Sequence, residues 1–434
     1  MTWATITTFI GFAGWISAFV MLFIIPVNRK PSSAIAWLLL IFLLPFLGLL
    51  IFLLIGSPKL PKHRRAQQRT MNAFIRQTVA EAAQLPEQDR MLAPQIPARY
   101  EPFVRLNANL GNLPAFAGNA VELLPGYQAA FERIALDVDH AQHFVHLEYF
   151  SLSRDKETER VFTALERAVS RGVKVRVLMD HLGSRKYPNF KETRARLEAA
   201  GIEQHLALPL HFPGAQFTRP DLRNHRKIVV IDGTVGFTGS QNLIKRNYFR
   251  KDAIYYDELV ARVSGPVVAQ LEAAFITDWY AETDILLNRQ AAPETTLALQ
   301  ACGDMLCQVL PSGSGFENEN NLRLFTSLIH AAQRTLVITN PYFVPDDGHH
   351  QRGAARGRRD LDQLGGLRPV SGEPRAALVL RGVAQGRGED LLVSRAGPAA
   401  RQAYQHRRRY CGDRLEQPGH PLVPAQPGGD AGLL

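Results

Sequence analysis

Cysteine is scarce in this chain: 434 residues hold three, Cys302, Cys307 and Cys411. So few exclude a disulfide-built scaffold. An odd count without CxxC or Cys/His spacing also argues against a structural zinc site. Charge is missing from two long stretches near the N-terminus, Thr5 to Pro26 and Ser32 to Ile55. Lysine is missing from residues 348–434, which nevertheless carry 14 arginines. What is present narrows the class further. At 46% hydrophobic residues, disorder of the whole chain is excluded. The length allows two to three domains. Fifty basic against 40 acidic side chains leave a formal charge of +10, which points to an anionic partner without choosing among nucleic acid, phospholipid and other phosphate compounds.

Each uncharged stretch is long enough to cross the roughly 30 Å hydrocarbon core of a bilayer as a helix. A cleaved signal peptide needs a basic start and a small-residue cleavage site; here no charge precedes the first stretch, which ends in Ile-Ile-Pro. The pattern predicts a transmembrane helical hairpin over residues 1–58, kinked at Pro45. The connector holds only Arg29 and Lys30, whereas Lys59, Lys62, Arg64, Arg65 and Arg69 follow the second stretch. That asymmetry places the C-terminal part in the cytoplasm. The basic cluster also sits where anionic headgroups lie.

A polar, Gln/Arg-rich linker occupies 59–115. Beyond it, strands and helices alternate. His143–Leu152 reads as a strand, Lys156–Arg171 as a helix, Val173–Asp180 as a strand and Lys191–Ala200 as a helix stopped by Gly201. HRKIVVIDG and TVGFTGS read as two strands joined at Asp232-Gly233. This alternation implies an α/β domain over 116–295. Its opening pattern is echoed later by QVLPSG (Gln308–Gly313), a helix through Ala332 and TLVITNPYFVP (Thr335–Pro345), as if the domain were duplicated, with a second copy begun over 296–347.

The chemistry is concentrated in one constellation. His225, Lys227, Asp232, Gly239, Ser240 and Asn242 form H-x-K-x4-D followed by G-S-x-N. On a strand, His225 and Lys227 share a face. Lysine and amide donors suit phosphoryl oxygens, and a neutral imidazole can attack phosphorus. Asp232 either orients a neighbour in a catalytic role or satisfies the turn.

With RNHRKIVVIDG (Arg223–Gly233) and GFTGSQN (Gly236–Asn242), the chain resembles the phospholipase D superfamily. PVNRKPSSAIAWLLLIFLLPFLGLLIFLLIG (Pro26–Gly56), GNAVELLPGYQAAF, RGVKVRVLMDHLGS, QVLPSG and NPYFVPD make it similar to bacterial cardiolipin synthases in particular, over residues 1 to about 347. The resemblance implies two similar α/β halves meeting at one active site, each giving one H-x-K-x4-D motif, with no metal and no other cofactor. One histidine attacks the phosphatidylglycerol phosphorus and the other protonates the departing glycerol. A second phosphatidylglycerol then takes the phosphatidyl group. Carried over by position, His225 is the nucleophile or its acid/base partner. Lys227 and Asn242 bind phosphate, with Ser240 a weaker candidate. Glu258 matches the acidic position that orients the histidine, with Asp257 as its neighbour. The implied partners are phosphatidylglycerol and anionic membrane lipids rather than nucleic acid, and the implied location is the bacterial cytoplasmic membrane, multi-pass. Two alternatives stay open: a phospholipase D-type hydrolase, and a membrane protein that binds anionic lipid without turnover.

The second motif is missing. Residues 348–434 are rich in Gly and Pro, keep little periodicity and contain no H-x-K-x4-D. Low-complexity disorder is one reading. A shifted reading frame is the sharper one. Joining the last two bases of each codon to the first of the next, Ala400 to Arg407 permits His-Ala-Lys-His-Ile-Asn-Ile-Asp, and Arg414 to Gln417 permits Gly-Ser-Ser-Asn. These fall at the spacing of His225, Lys227, Asp232, Gly239, Ser240 and Asn242. The tail also supplies +6 of the net charge (14 Arg less 8 acids), which leaves +4 for the rest. Sequencing the coding DNA from Asp346 onward tests the reading. Codons that forbid lysine at the Gln402/Ala403 overlap would remove it.

Overall fold

The computed structural model describes residues 3–27, 29, 31–56, 60–82, 94–209, 222–248, 257–287, 300–313, 316 and 319–333. The echoed strand at Thr335–Pro345 and the whole tail from 348 lie outside the described residues. Contacts divide the chain into two units, 1–66 with 210–223, and 67–209 with 224–434.

The first unit contains α1 (Trp3–Ile24), α2 (Pro31–Leu43) and α3 (Pro45–Ile55). The expected kink at Pro45 is a full break. Pro45 takes the first helical position, where its missing N–H costs nothing, and Leu44 before it leaves the helical region at φ −134° and ψ 73°. Ala18, Met21, Ile25, Ala34 and Ile41 pack together, and Trp37 meets Phe52 edge-on. Phe12, Trp15, Phe19, Phe23, Leu39, Leu43, Leu50 and Leu53 remain exposed. Among the described residues no helix is long and apolar enough to cross a membrane, so the two-span hairpin expected from the sequence is not established by these helices.

The second unit is the α/β domain that the alternation predicts. In chain order it holds α4 (Lys62–Ala82, from Gln67 on), α5 (Glu101–Gly111), β1 (Phe116–Leu124), α6 (Tyr127–Asp139), β2 (Phe144–Tyr149), α7 (Glu159–Ser170) and β3 (Lys174–Asp180). Then follow α8 (His181–Arg185), α9 (Phe190–Ala199), β4 (Glu203–Ala207), β5 (Lys227–Ile231), β6 (Val235–Gly239), β7 (Val260–Ser264), α10 (Val268–Thr283), β8 (Met305–Cys307) and α11 (Asn320–Ala331). The eight strands form one sheet in the order β4-β3-β2-β5-β6-β7-β1-β8. Within it β2, β3 and β4 run parallel and the other neighbours antiparallel. QVLPSG, expected to open the second copy, contributes no strand; β8 lies just before it.

Helices cover both faces, which is why β2 is buried at every position. On one face Val145, Leu147, Tyr149, Val229 and Ile231 meet Phe131, Ile134, Phe162 and Leu165 from α6 and α7. Helix α7 fits that role through Val161, Ala164, Leu165 and Ala168 on one stripe. On the other face Phe144, Ile228 and Val230 meet Val268, Leu271 and Ala274 of α10.

The β5–β6 connection carries Asp232 and Gly233 at φ 50° and 64°, the left-handed pair that a tight hairpin requires. Aspartate tolerates that conformation better than most side chains. Its carboxylate also accepts from the backbone N–H groups of Gln142, His143 and Phe144, each at 2.8 Å. Asp232 therefore ties the hairpin turn to the start of β2. Replacing it with alanine leaves those amides without their acceptor and should destabilise the domain by about 1–3 kcal/mol in a denaturant melt. Asp232→Asn, which keeps one acceptor oxygen, should lose less.

Candidate active site

The site forms at the end of β5 opposite Asp232. His225 lies two residues before Lys227, the first residue of β5, where the chain is hydrogen-bonded to the end of β2 (Phe150 N–H to Arg226 C=O, 3.2 Å). The imidazole is exposed and stacks on the Phe150 ring, centroids 3.8 Å apart and planes 17° from parallel. The Lys227 Nζ sits 5.8 Å from the same ring centroid and donates to the His225 carbonyl at 2.7 Å. Expected to share a face, the two side chains meet around one aromatic ring.

Phe150 is held in turn. A Cβ on Gly183 would stand 2.1 Å from the Phe150 carbonyl oxygen, so only glycine fits there. Asp180 caps the turn by accepting from the Gly183 N–H at 2.7 Å. This brings in Lys186, whose Nζ lies 5.5 Å from the Phe150 ring and 5.2 Å from Tyr187. Burial lowers the pKa of Lys186, with Asp180 opposing.

The G-S-x-N segment follows β6. Gly239 is dictated by space, because a Cβ would come within 2.2 Å of the Leu259 carbonyl oxygen. Ser240 Oγ accepts from the Leu259 N–H at 3.1 Å. The hydroxyl thus fastens the approach to β7, beside Glu258. Asn242 is buried, and its Oδ1 accepts from the Ser151 N–H at 3.1 Å. That bond fixes the amide so that Nδ2 is the end with hydrogens to give.

Electrostatics sharpen the picture. Burial pushes the Lys227 ammonium down from its ordinary 10.5 to about 8, and the nearby Glu258 carboxylate works against that. Glu258 is itself buried. Its neighbour Asp257 instead pairs with Arg246. Of the residues expected from the motif, the structure gathers His225 and Lys227 at Phe150, with Glu258 within electrostatic range of Lys227. Asn242 is anchored to the chain just after Phe150. Asp232, expected among the catalytic groups, is not there. Seven residues of extended chain put it roughly 20 Å from His225, and its carboxylate is engaged by three amides. Phe150 and Lys186 had no signal in the motif. Among the described residues no three His, Cys, Asp or Glu side chains gather as a metal site.

Comparison with known proteins gives the family. Residues 135–279 match the family model described as "Cardiolipin synthase, PLD-like domain", and residues 3–57 match "Phospholipase_D-nuclease N-terminal". Cardiolipin synthase A of Proteus mirabilis (strain HI4320) is 30% identical over 352 residues, 79% of this chain and 71% of that protein. The chain belongs to the cardiolipin synthase family. Cardiolipin synthase A of Serratia proteamaculans (strain 568) is 29% identical over the same shares. A solved phospholipase D family member, Nuc from Salmonella typhimurium, is 18% identical over 38% of this chain and 96% of its own, at a TM-score of 0.29, too low to argue from. As a cardiolipin synthase family member, the protein is by descent a phosphatidyltransferase of the phospholipase D type.

The Lys227 environment has two measurable consequences. Below about pH 8 the ammonium holds its charge for an anion; above it the charge is lost. Affinity for inorganic phosphate or tungstate should therefore fall as pH rises through 8, and Lys227→Arg should carry binding to higher pH. For stability the sign is opposite. The folded pKa lies below the ordinary one, so the unfolded chain holds more protons between pH 8 and 10.5, and stability rises across that window. Lys227→Met should raise the melting temperature at pH 7 while abolishing anion binding.

Proposed function

We propose that this chain is built to transfer a phosphatidyl group between two phosphatidylglycerol molecules, giving cardiolipin and glycerol. The observation that carries the reading is the meeting of His225 and Lys227 at Phe150, with Asn242 and Glu258 beside them. A neutral imidazole nitrogen of His225 attacks phosphorus. The Lys227 ammonium and the Asn242 amide bear the phosphoryl charge that builds up as the glycerol oxygen departs. A phosphatidyl-histidine remains. The hydroxyl of a second phosphatidylglycerol then attacks it and frees His225. Departing glycerol needs a proton and the incoming hydroxyl must lose one, so one acid/base group serves both steps. Ser240 acts by holding the Glu258–Leu259 segment rather than by touching phosphate.

That acid/base group is the histidine of the second motif, which the sequence does not contain. The chain as written is therefore inactive, and residues 348–434 are an out-of-frame tail behind an intact first half. The substrates and the apolar surface of α1, α2 and α3 support placing the protein in the bacterial cytoplasmic membrane. There the uncharged stretches cross as a multi-pass hairpin, with the catalytic part on the cytoplasmic side.

Labelled phosphatidylglycerol incubated with membranes carrying the chain should give no cardiolipin above background. A gene with the frame restored should give it, and His225→Ala in that gene should lower the rate by roughly a thousandfold or more. Conversion above background by the chain as written would overturn the requirement for a second motif. Full activity of His225→Ala would overturn the role of His225.

A further inference from the structure

Two buried carboxylates next to the motif have no part in the chemistry above. Glu148, on β2, is 3% exposed. Asp278, on α10, is partly buried. Asn224 joins them: its Nδ2 donates to Glu148 Oε1 at 2.5 Å and to Asp278 Oδ2 at 2.7 Å. Its Oδ1 accepts from the Arg226 N–H at 3.0 Å, closing a small turn around His225. The Arg226 guanidinium donates through Nη1 to the same Asp278 oxygen and through Nη2 to the Ser312 carbonyl at 2.9 Å. Both chain neighbours of His225 are thus fastened to α10. The side chains of Asn224 and Arg226 both reach Asp278, while the imidazole between them stacks on Phe150. Pulling 224 and 226 toward α10 therefore turns His225 the other way, onto Phe150.

Burial, and then the Asp278 carboxylate, hold the Glu148 carboxyl well above the usual range against the pull of Arg226. Arg226 and Asp278 form the ion pair of the cluster. The Ser312 carbonyl is itself well placed. The Val309 N–H donates to Gln270 Oε1 at 2.7 Å. The Gln308 amide donates to the carbonyls of Val104 and Leu113, and Asn320 Nδ2 to those of Pro311 and Leu110. Residues 308–312, the opening of the echoed second half, are pinned on α10 and around α5.

We propose that Asn224, Arg226, Asp278 and Glu148 are positioning residues for His225, and that the Ser312 carbonyl completes their clamp, so that docking of the second half's opening segment helps to aim the nucleophile. This rests on His225 being the reacting group, but the asserted geometry is tested without turnover. The full chain in detergent is treated with diethylpyrocarbonate, and carbethoxylation at His225 is followed by mass spectrometry against pH. His140, exposed at the end of α6, is the internal reference. Freed from its clamp, His225 leaves the Phe150 ring. Asp278→Asn and Arg226→Ala should then each change its modification rate at least about threefold, with His140 unchanged. Arg226→Lys, which keeps the ion pair with Asp278 but cannot also hold Ser312, should fall between Arg226→Ala and the unaltered chain. Unchanged His225 rates in variants that keep the circular dichroism and melting of the parent would overturn the proposal. So would a parallel rise at His140, which would mark general loosening. Phosphatidyl transfer surviving His225→Ala in the gene with the frame restored would instead overturn the reading of His225, and leave the clamp standing.

Discussion

The antiparallel pairing of β5 with β2 is the constraint on which the rest depends. It matches Tyr149 with Lys227 and Val145 with Ile231 in the centre of an eight-stranded sheet, covered on both faces. A strand so placed cannot slip by one residue without driving its apolar side chains to the wrong layer. Both ends of β5 are then closed by polar bonds of different kinds. Asp232 ties one end to the amides that begin β2. At the other, Asn224 and Arg226 tie the chain to α10, and Phe150, next after β2, receives the imidazole. Register, turn and ring direction form one chain of cause.

The same burial that secures the sheet creates the electrostatic character of the site. Lys227 enters the sheet as its first residue and loses water on one side, so its ammonium is held at a cost that a phosphate oxygen would offset. Glu258 reduces that cost without removing it. Glu148 meets the same low-polarity surroundings, which hold its carboxyl well above the usual range. Two ionisable groups on neighbouring strands thus resolve burial differently. One sits near the surface where an anion can reach it, and the other has its ionisation opposed inside the clamp.

Much of this was legible along the chain. Strand β3, helix α7, helix α9 with Gly201 beyond it, and the β5–β6 hairpin all lie where periodicity and turn residues put them, because each is specified by neighbours within a few residues. That His225 and Lys227 lie side by side was legible from their spacing on a strand. For Asp232 spacing left two roles open, and its three amide bonds fit the one at the turn. Phe150, Lys186, Glu148 and Asp278 were invisible. They come from parts of the chain 35 or more residues away and join the site only through sheet pairing and the packing of α10. The uncharged N-terminal stretches were plain, but the division at Pro45 into helices of 13 and 11 residues shows how one imino acid overrides hydropathy.

By itself the sequence determined the α/β alternation, the H-x-K-x4-D and G-S-x-N pattern and the lack of a second such pattern in these residues, since these are matters of periodicity and order. Only the tertiary structure decided where the carboxylates go. Asp232 became a backbone anchor, Glu258 a neighbour of Lys227, and Glu148 with Asp278 a clamp. A carboxylate's role follows from which donors surround it and how much water is left, and both are set by the packing of strands and helices distant in the chain.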